Sequence, residues 1–140
     1  PAIIEEIDAL KAKLAKTPRV LWRGRLSHPA LMEEFRAASV WAYPTVYPEV
    51  SCITGMRAIA AGCVPIFTTH GNAMGETLPV QDWAIHEPPG NGGREAFLGR
   101  LIAVLRDGVA PEERERIVGA AQDLTWDRVA DAFERAVGER

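Results

Sequence analysis

Pro44-Thr45-Val46-Tyr47-Pro48-Glu49-Val50-Ser51-Cys52-Ile53-Thr54-Gly55-Met56-Arg57-Ala58-Ile59-Ala60-Ala61-Gly62-Cys63-Val64-Pro65 carries the architectural signal of this chain. It starts where the apolar run Val40-Trp41-Ala42-Tyr43 ends, and that run does not alternate, as expected of a parallel strand covered on both faces. Pro44, Pro48 and Glu49 make a turn, after which the spacing is helical from Ser51, the expected N-cap, to Gly62, the expected stop. Val64-Pro65-Ile66-Phe67 enters a second strand, with Pro65 expected at a strand entrance or on an edge because it lacks a ladder donor. Strand, loop, helix and strand together set Glu49 and a helix N-terminus at one edge of a parallel sheet.

Working outward, Ile3, Ile7, Leu10 and Leu14 predict an amphipathic helix over about Ala2 to Ala15, closed by Pro18. Val20-Leu21-Trp22 predicts a short strand entering Arg23-Gly24-Arg25, and Ser27 before His28-Pro29 starts a second helix marked by Leu31, Phe35 and Ala38. On the other side, Thr68 to Thr77 reads as a loop, Trp83-Ala84-Ile85 as a weak last strand, and Pro88 to Gly93 as an exposed turn. Three helices then finish the chain, marked by Phe97, Leu101, Val104 and Leu105, by Ile117, Val118, Ala121 and Leu124, and by Trp126, Val129, Phe133 and Val137.

Strands alternating with helices predict an α/β fold: an open parallel sheet of about four strands with helices on both faces and right-handed crossovers. Ligands of such sheets bind outside the carboxyl ends of the strands, where Thr45 to Ser51 and Thr68 to Glu76 both fall. The length of 140 residues suits one domain over 1–140, and 47% hydrophobic with 25% charged residues excludes disordered and fibrous classes. Pro1 leads at once into a helical pattern and reads as part of a longer chain. No apolar run approaches the ~18 residues of a membrane span, and the net charge of −3 gives no general attraction to nucleic acid or anionic lipid. Cys52 and Cys63 fall near opposite ends of one predicted helix, roughly 16 Å apart. They are expected to be free thiols in a reducing compartment, so a cytoplasmic location is expected. No Cys-x-x-Cys or His-x-x-x-His spacing suggests zinc, and no Gly-x-Gly-x-x-Gly or phosphate-loop lysine suggests a dehydrogenase or nucleoside triphosphatase.

The chemistry of the edge follows from residue types. Unpaired amides at the helix start and the helix dipole favour an anion, most naturally a phosphate. Gly71 and Gly75 would let a second backbone segment approach the same ligand, and Glu49 is an acceptor suited to hydroxyl groups. Phosphate plus hydroxyls suggests a sugar nucleotide. The residues alone leave open that Glu49 only helps cap the helix and that the glycines only make turns. His70 lies at the same edge, where it could donate to phosphate or move a proton. Trp22, Trp41, Trp83 and Trp126 read as core and interface rather than as a sugar-stacking platform.

Pro44-Thr45, Glu49-Val50-Ser51-Cys52-Ile53, Met56 through Pro65, and Gly71 to Glu76-Thr77, in that order, resemble the donor-binding domain of retaining GT-B glycosyltransferases. The likeness is to the glycogen-synthase-like and sucrose-synthase-like enzymes, which carry a Glu-x7-Glu motif before an Ala-x-Ala-x-Gly-x-Pro-Val stretch. It runs from about Val20 to Thr77, and Leu124-Thr125-Trp126 looks like the family's C-terminal end. It implies a Rossmann-like C-terminal domain that binds a nucleoside diphosphate sugar without metal or other cofactor. It also implies an N-terminal acceptor domain as partner; the expected cytoplasmic location leaves open a peripheral membrane association of the parent through that domain.

Residue by residue, the resemblance implies that Glu49 contacts the donor sugar as the catalytic-site carboxylate. The amides of Ser51, Cys52 and Ile53 would meet sugar and diphosphate, and Glu76 would start a short helix beside them. The second Glu of the motif falls on Arg57, a donor-only guanidinium where the family holds ribose hydroxyls with a carboxylate. The family's basic pair, which neutralises the diphosphate, has no counterpart in the matching stretch. A glycosyltransferase, a sugar-nucleotide-binding module that has lost catalysis, and a GT-B-like sugar-nucleotide epimerase all remain compatible with these residues.

Overall fold

A computed structural model describes residues 2–138. The chain divides into two compact units, residues up to Leu31 and residues from Met32 on, with the division inside one helix.

The first unit holds helix α1 (Ala2–Lys16) and the start of α2 (His28–Ala37). The predicted stripe is there, but Ile3, Ile7, Leu10 and Leu14 are all exposed, Ile3 at 72%. Val20-Leu21-Trp22, expected to be a strand, pairs with no strand among the described residues, and its side chains are exposed, Leu21 at 74%. A short extended run gains little unless its amides and carbonyls join a ladder, so apolar character alone does not make it a strand.

The second unit is a mixed α/β structure around a three-stranded parallel sheet in the order β1-β2-β3. Its strands are β1 (Val40–Tyr43), β2 (Val64–Thr68) and β3 (Ala84–Ile85). β1 pairs with β2 from Val40↔Val64 to Tyr43↔Phe67, and β2 with β3 through Phe67↔Ala84 and Thr68↔Ile85. The expectation of about four strands is thus corrected to three among the described residues, and Trp83 belongs to a 3-10 turn before β3. β2 is buried along its whole length, in keeping with its unbroken apolar run, and Pro65 is its second residue, at the strand entrance. Burial of Phe67, Ile66 and, on the covering helix, Ile59 contributes about 1.5–3 kcal/mol apiece.

Helix α3 (Ile53–Ala60) links β1 to β2 and turns Ala58 and Ile59 inward. It ends in a Schellman arrangement: the Cys63 amide bonds the Ala58 carbonyl at 3.0 Å and the Gly62 amide that of Ile59 at 3.0 Å. Gly62, at φ +90, takes the left-handed conformation this closure needs. At the other end, Gly55 lies against the ring of Trp41, and a Cβ there would stand 2.8 Å from Trp41 Cη2. Trp41 in turn stacks on Tyr43 with ring centroids 5.1 Å apart. The first turn of α3 is therefore seated directly on β1.

Beyond β2 come α4 (Met74–Thr77), α5 (Arg94–Asp107), α6 (Pro111–Ala120) and α7 (Trp126–Gly138). Phe97 and Val104 of α5 and Ile117 of α6 join the core. Trp83 Nε1 donates to Glu113 of α6 at 2.7 Å, and Arg116 pairs with both Glu113 and Asp82. The Arg116 guanidinium holds the Glu113 carboxyl down at about 2, with Trp83 assisting. α7 has the predicted apolar stripe but buries none of it, Trp126 being 86% and Phe133 68% exposed. Two of the four tryptophans expected in core or interface, Trp22 and Trp126, are therefore exposed within the described chain. No helix among the described residues is long and apolar enough to cross a membrane.

Candidate functional site

The loop after β1 and the loop after β2 meet at the carboxyl edge of the sheet. The first is a series of tight turns: the Thr45 amide bonds the Tyr43 carbonyl, the Tyr47 amide the Thr45 hydroxyl, and the Glu49 amide the Tyr47 carbonyl. Pro44 and Pro48 suit such a path because their φ is already set. Two long-range bonds tie these segments, from the Ala73 amide to the Glu49 carbonyl at 2.8 Å and from the Thr68 hydroxyl to the Thr45 carbonyl. Asn72 shapes the second loop, its Oδ1 accepting from the Met74 amide and its Nδ2 donating to the Thr68 carbonyl.

Pro48, Glu49, Val50, Gly71, Asn72, Ala73 and Glu76 line the resulting open cleft, of about 400 Å3. Gly71 has φ +73 and nothing within 4 Å of where a Cβ would be, so its backbone is bare toward solvent. Glu49 is half-buried, and its Oε2 is buried with no hydrogen-bond partner. Its neighbour on the inner side is the Cys52 thiol. Burial pushes that thiol up to about 11, with the Gly55 amide opposing and the Glu49 carboxylate adding to the rise. Cys52 is thus held as the thiol beside the Glu49 carboxylate.

The helix start differs from expectation in one residue. Cys52, not Ser51, is the N-cap of α3, and its sulfur accepts from the Gly55 amide at 3.3 Å. Ser51 is exposed whereas Cys52 is 1% exposed, so the demand to bury the thiol places the cap one residue later. The Ile53 amide bonds the Ser51 carbonyl at 3.2 Å and is already engaged. The amides of Val50, Ser51 and Cys52 find no acceptor among the described residues.

The structure thus brings Glu49, Gly71 and Glu76 to one cleft, with the free amides of Ser51 and Cys52 on the same loop. It does not bring Gly75 there: Gly75 is in α4 beside Thr69, where a Cβ would make an ordinary contact with the Thr69 methyl at 3.4 Å. His70 is exposed and outside the lining, and Arg57, half-buried on α3, is outside it too. Among the described residues no three His, Cys, Asp or Glu side chains gather as a metal site.

Sequence reasoning passed over a larger feature. A cavity of about 660 Å3 opens at the same edge, lined by Thr45 and Val46 after β1, Thr68 of β2, Glu87 after β3, and Arg94, Phe97 and Leu98 of α5. Its outer wall is the irregular turn Pro89–Gly93, where Asn91 and Gly92 leave helical geometry. Gly93 is held against the preceding segment so tightly that a Cβ would lie 2.2 Å from the Glu87 carbonyl oxygen. The run of Pro and Gly in the sequence signalled a turn, but not that one of its glycines is a buried contact.

In comparison with known proteins, no family model, curated protein or solved structure matches this chain.

Proposed function

We propose that this chain is the donor-binding part of a retaining, metal-independent glycosyltransferase of the GT-B kind, which takes a sugar from a nucleoside diphosphate sugar. The observation that supports it most is Glu49 lining the cleft with Gly71 and Glu76. A carboxylate only accepts, so Glu49 is suited to the hydroxyl groups of a sugar. The free amides of Ser51 and Cys52, at the start of α3, suit the diphosphate oxygens. They would stabilise charge on the leaving nucleoside diphosphate.

The finer fold reading belongs to the same proposal. In a doubly wound sheet of order 3-2-1-4-5-6, the last three strands are neighbours in sequence order, as β1, β2 and β3 are.

Arg57 favours one further reading, a module that binds sugar nucleotides without turning them over, since the expected ribose carboxylate is replaced by a cation. Binding is the first test. Glu49→Gln should weaken a nucleoside diphosphate sugar by about tenfold or more, the scale of a hydrogen bond to a charged group, and leave the nucleoside diphosphate alone little changed. Equal affinity of variant and parent for the sugar nucleotide would remove Glu49 from the site. Arg57→Glu sharpens the choice, because a gain in affinity means a degraded ribose contact and a loss means the arginine has its own role.

A further inference from the structure

We propose that helix α1 pairs antiparallel with α1 of a second copy of this chain. The proposal is independent of the donor-binding reading and concerns the other compact unit of the molecule.

The helix needs a cover. Every residue from Ile3 to Arg25 is exposed, so no tertiary packing supports α1, and a helix of 15 residues is marginal in water on propensity alone. Its apolar residues are laid out for another helix. Ile3, Ile7, Leu10 and Leu14 are spaced by four, three and four residues, the seam of a two-helix coiled coil. At about 100° per residue they fall within about 60° of arc.

The charges say which helix. Glu5, Glu6 and Asp8 fall in the first half of α1 and Lys11, Lys13 and Lys16 in the second, so a parallel pair would stack acid on acid and base on base, whereas an antiparallel pair matches them. Helix-dipole compensation favours acids early and bases late, but it does not decide the face they take. Glu6 and Lys13, seven residues apart, share one flank of the seam, and neither side chain has a partner among the described residues. With Ile3 over Leu14 and Ile7 over Leu10 of the second copy, that flank meets its own copy and Glu6 of each helix reaches Lys13 of the other. On the opposite flank Ile4 meets the aliphatic stem of Lys11 of the second copy, whose ammonium already pairs with Asp8 of its own helix at 3.4 Å. The uncovered stripe of α7 has no such division: Asp127, Arg128, Asp131, Glu134 and Arg135 mix both signs along its length. A pair of helices this short buries less than the ~1,200 Å2 of a standard interface, so reversible association in the micromolar range is expected rather than a permanent dimer.

The test is sedimentation equilibrium of the full chain up to sub-millimolar concentration, for the parent, Ile7→Asp, Glu6→Lys, Lys13→Glu and the double variant Glu6→Lys with Lys13→Glu. All three side chains are exposed, so no substitution removes core packing. The parent should form dimers reversibly, and Ile7→Asp should be monomeric throughout. Each single charge reversal should weaken the dimer about three- to tenfold, and the double variant should restore it. Tryptic cleavage after Lys11 and Lys13 should slow in step with dimer formation. A parent that stays monomeric would leave the stripe to some other cover and overturn the proposal, as would a dimer indifferent to Ile7→Asp, whose interface must lie elsewhere. A dimer lost in Ile7→Asp but unmoved by both single reversals would overturn the antiparallel register.

Discussion

Val20-Leu21-Trp22 and Val40-Trp41-Ala42-Tyr43 are both short apolar runs with a tryptophan, yet the first is exposed and unpaired and the second is a strand. The two differ less in composition than in company. Val40 to Tyr43 lies in register with Val64 to Phe67, and Trp41 is covered by the first turn of α3 through Gly55. Val20 to Trp22 has no such ladder among the described residues. A strand is thus a property of a pair, because its backbone groups leave water only when another strand replaces the lost hydrogen bonds.

Three substitutions press on this contrast. The largest effect is expected from Phe67→Ala in β2, which should lower the unfolding free energy by about 3–5 kcal/mol in urea titration, the scale for removing a buried aromatic ring. A loss below about 1 kcal/mol would mean that β2 is not what holds the paired region. Gly55→Ala comes next, at about 1–3 kcal/mol, because the added methyl group must displace the Trp41 ring or lift α3. It should also disturb the near-ultraviolet circular dichroism of the Trp41 and Tyr43 stack, and an unchanged spectrum with unchanged stability would break the seating of α3 on β1. Leu21→Ser should do least, within about 0.5 kcal/mol, since its side chain is already 74% exposed. A loss of several kcal/mol there would abolish the contrast.

The same lesson separates α3 from α7. Both have apolar residues at helical spacing, but α3 buries Ala58 and Ile59 whereas Trp126, Val129, Phe133 and Val137 of α7 stay exposed. Periodicity reports that a helix has an apolar face and is silent about what covers it. At the site, Glu49 and Gly71 could be picked out in the sequence because an isolated carboxylate between Pro48 and a helix start, and glycines in a loop at the same sheet edge, are local signals. Their meeting depends on the Ala73 amide reaching the Glu49 carbonyl across 24 residues, which no local pattern announces. Gly75 resembled Gly71 in sequence but lies in α4 outside the cleft lining, and Cys52, not Ser51, caps α3, the buried thiol taking the place of the better capping side chain.

What the sequence determined by itself was the order of elements from Val40 to Thr77, the helix closure at Gly62, and the residue types at the sheet edge. These are near-neighbour matters of backbone φ, missing donors and apolar spacing. Only the tertiary structure decided which apolar runs found ladder partners, which glycines were contacts, and that Glu87 and Arg94 stand on one cavity wall. Those outcomes turn on close approach between segments distant along the chain. Excluded volume and hydrogen-bond replacement act there on pairs of residues that no single window of sequence contains.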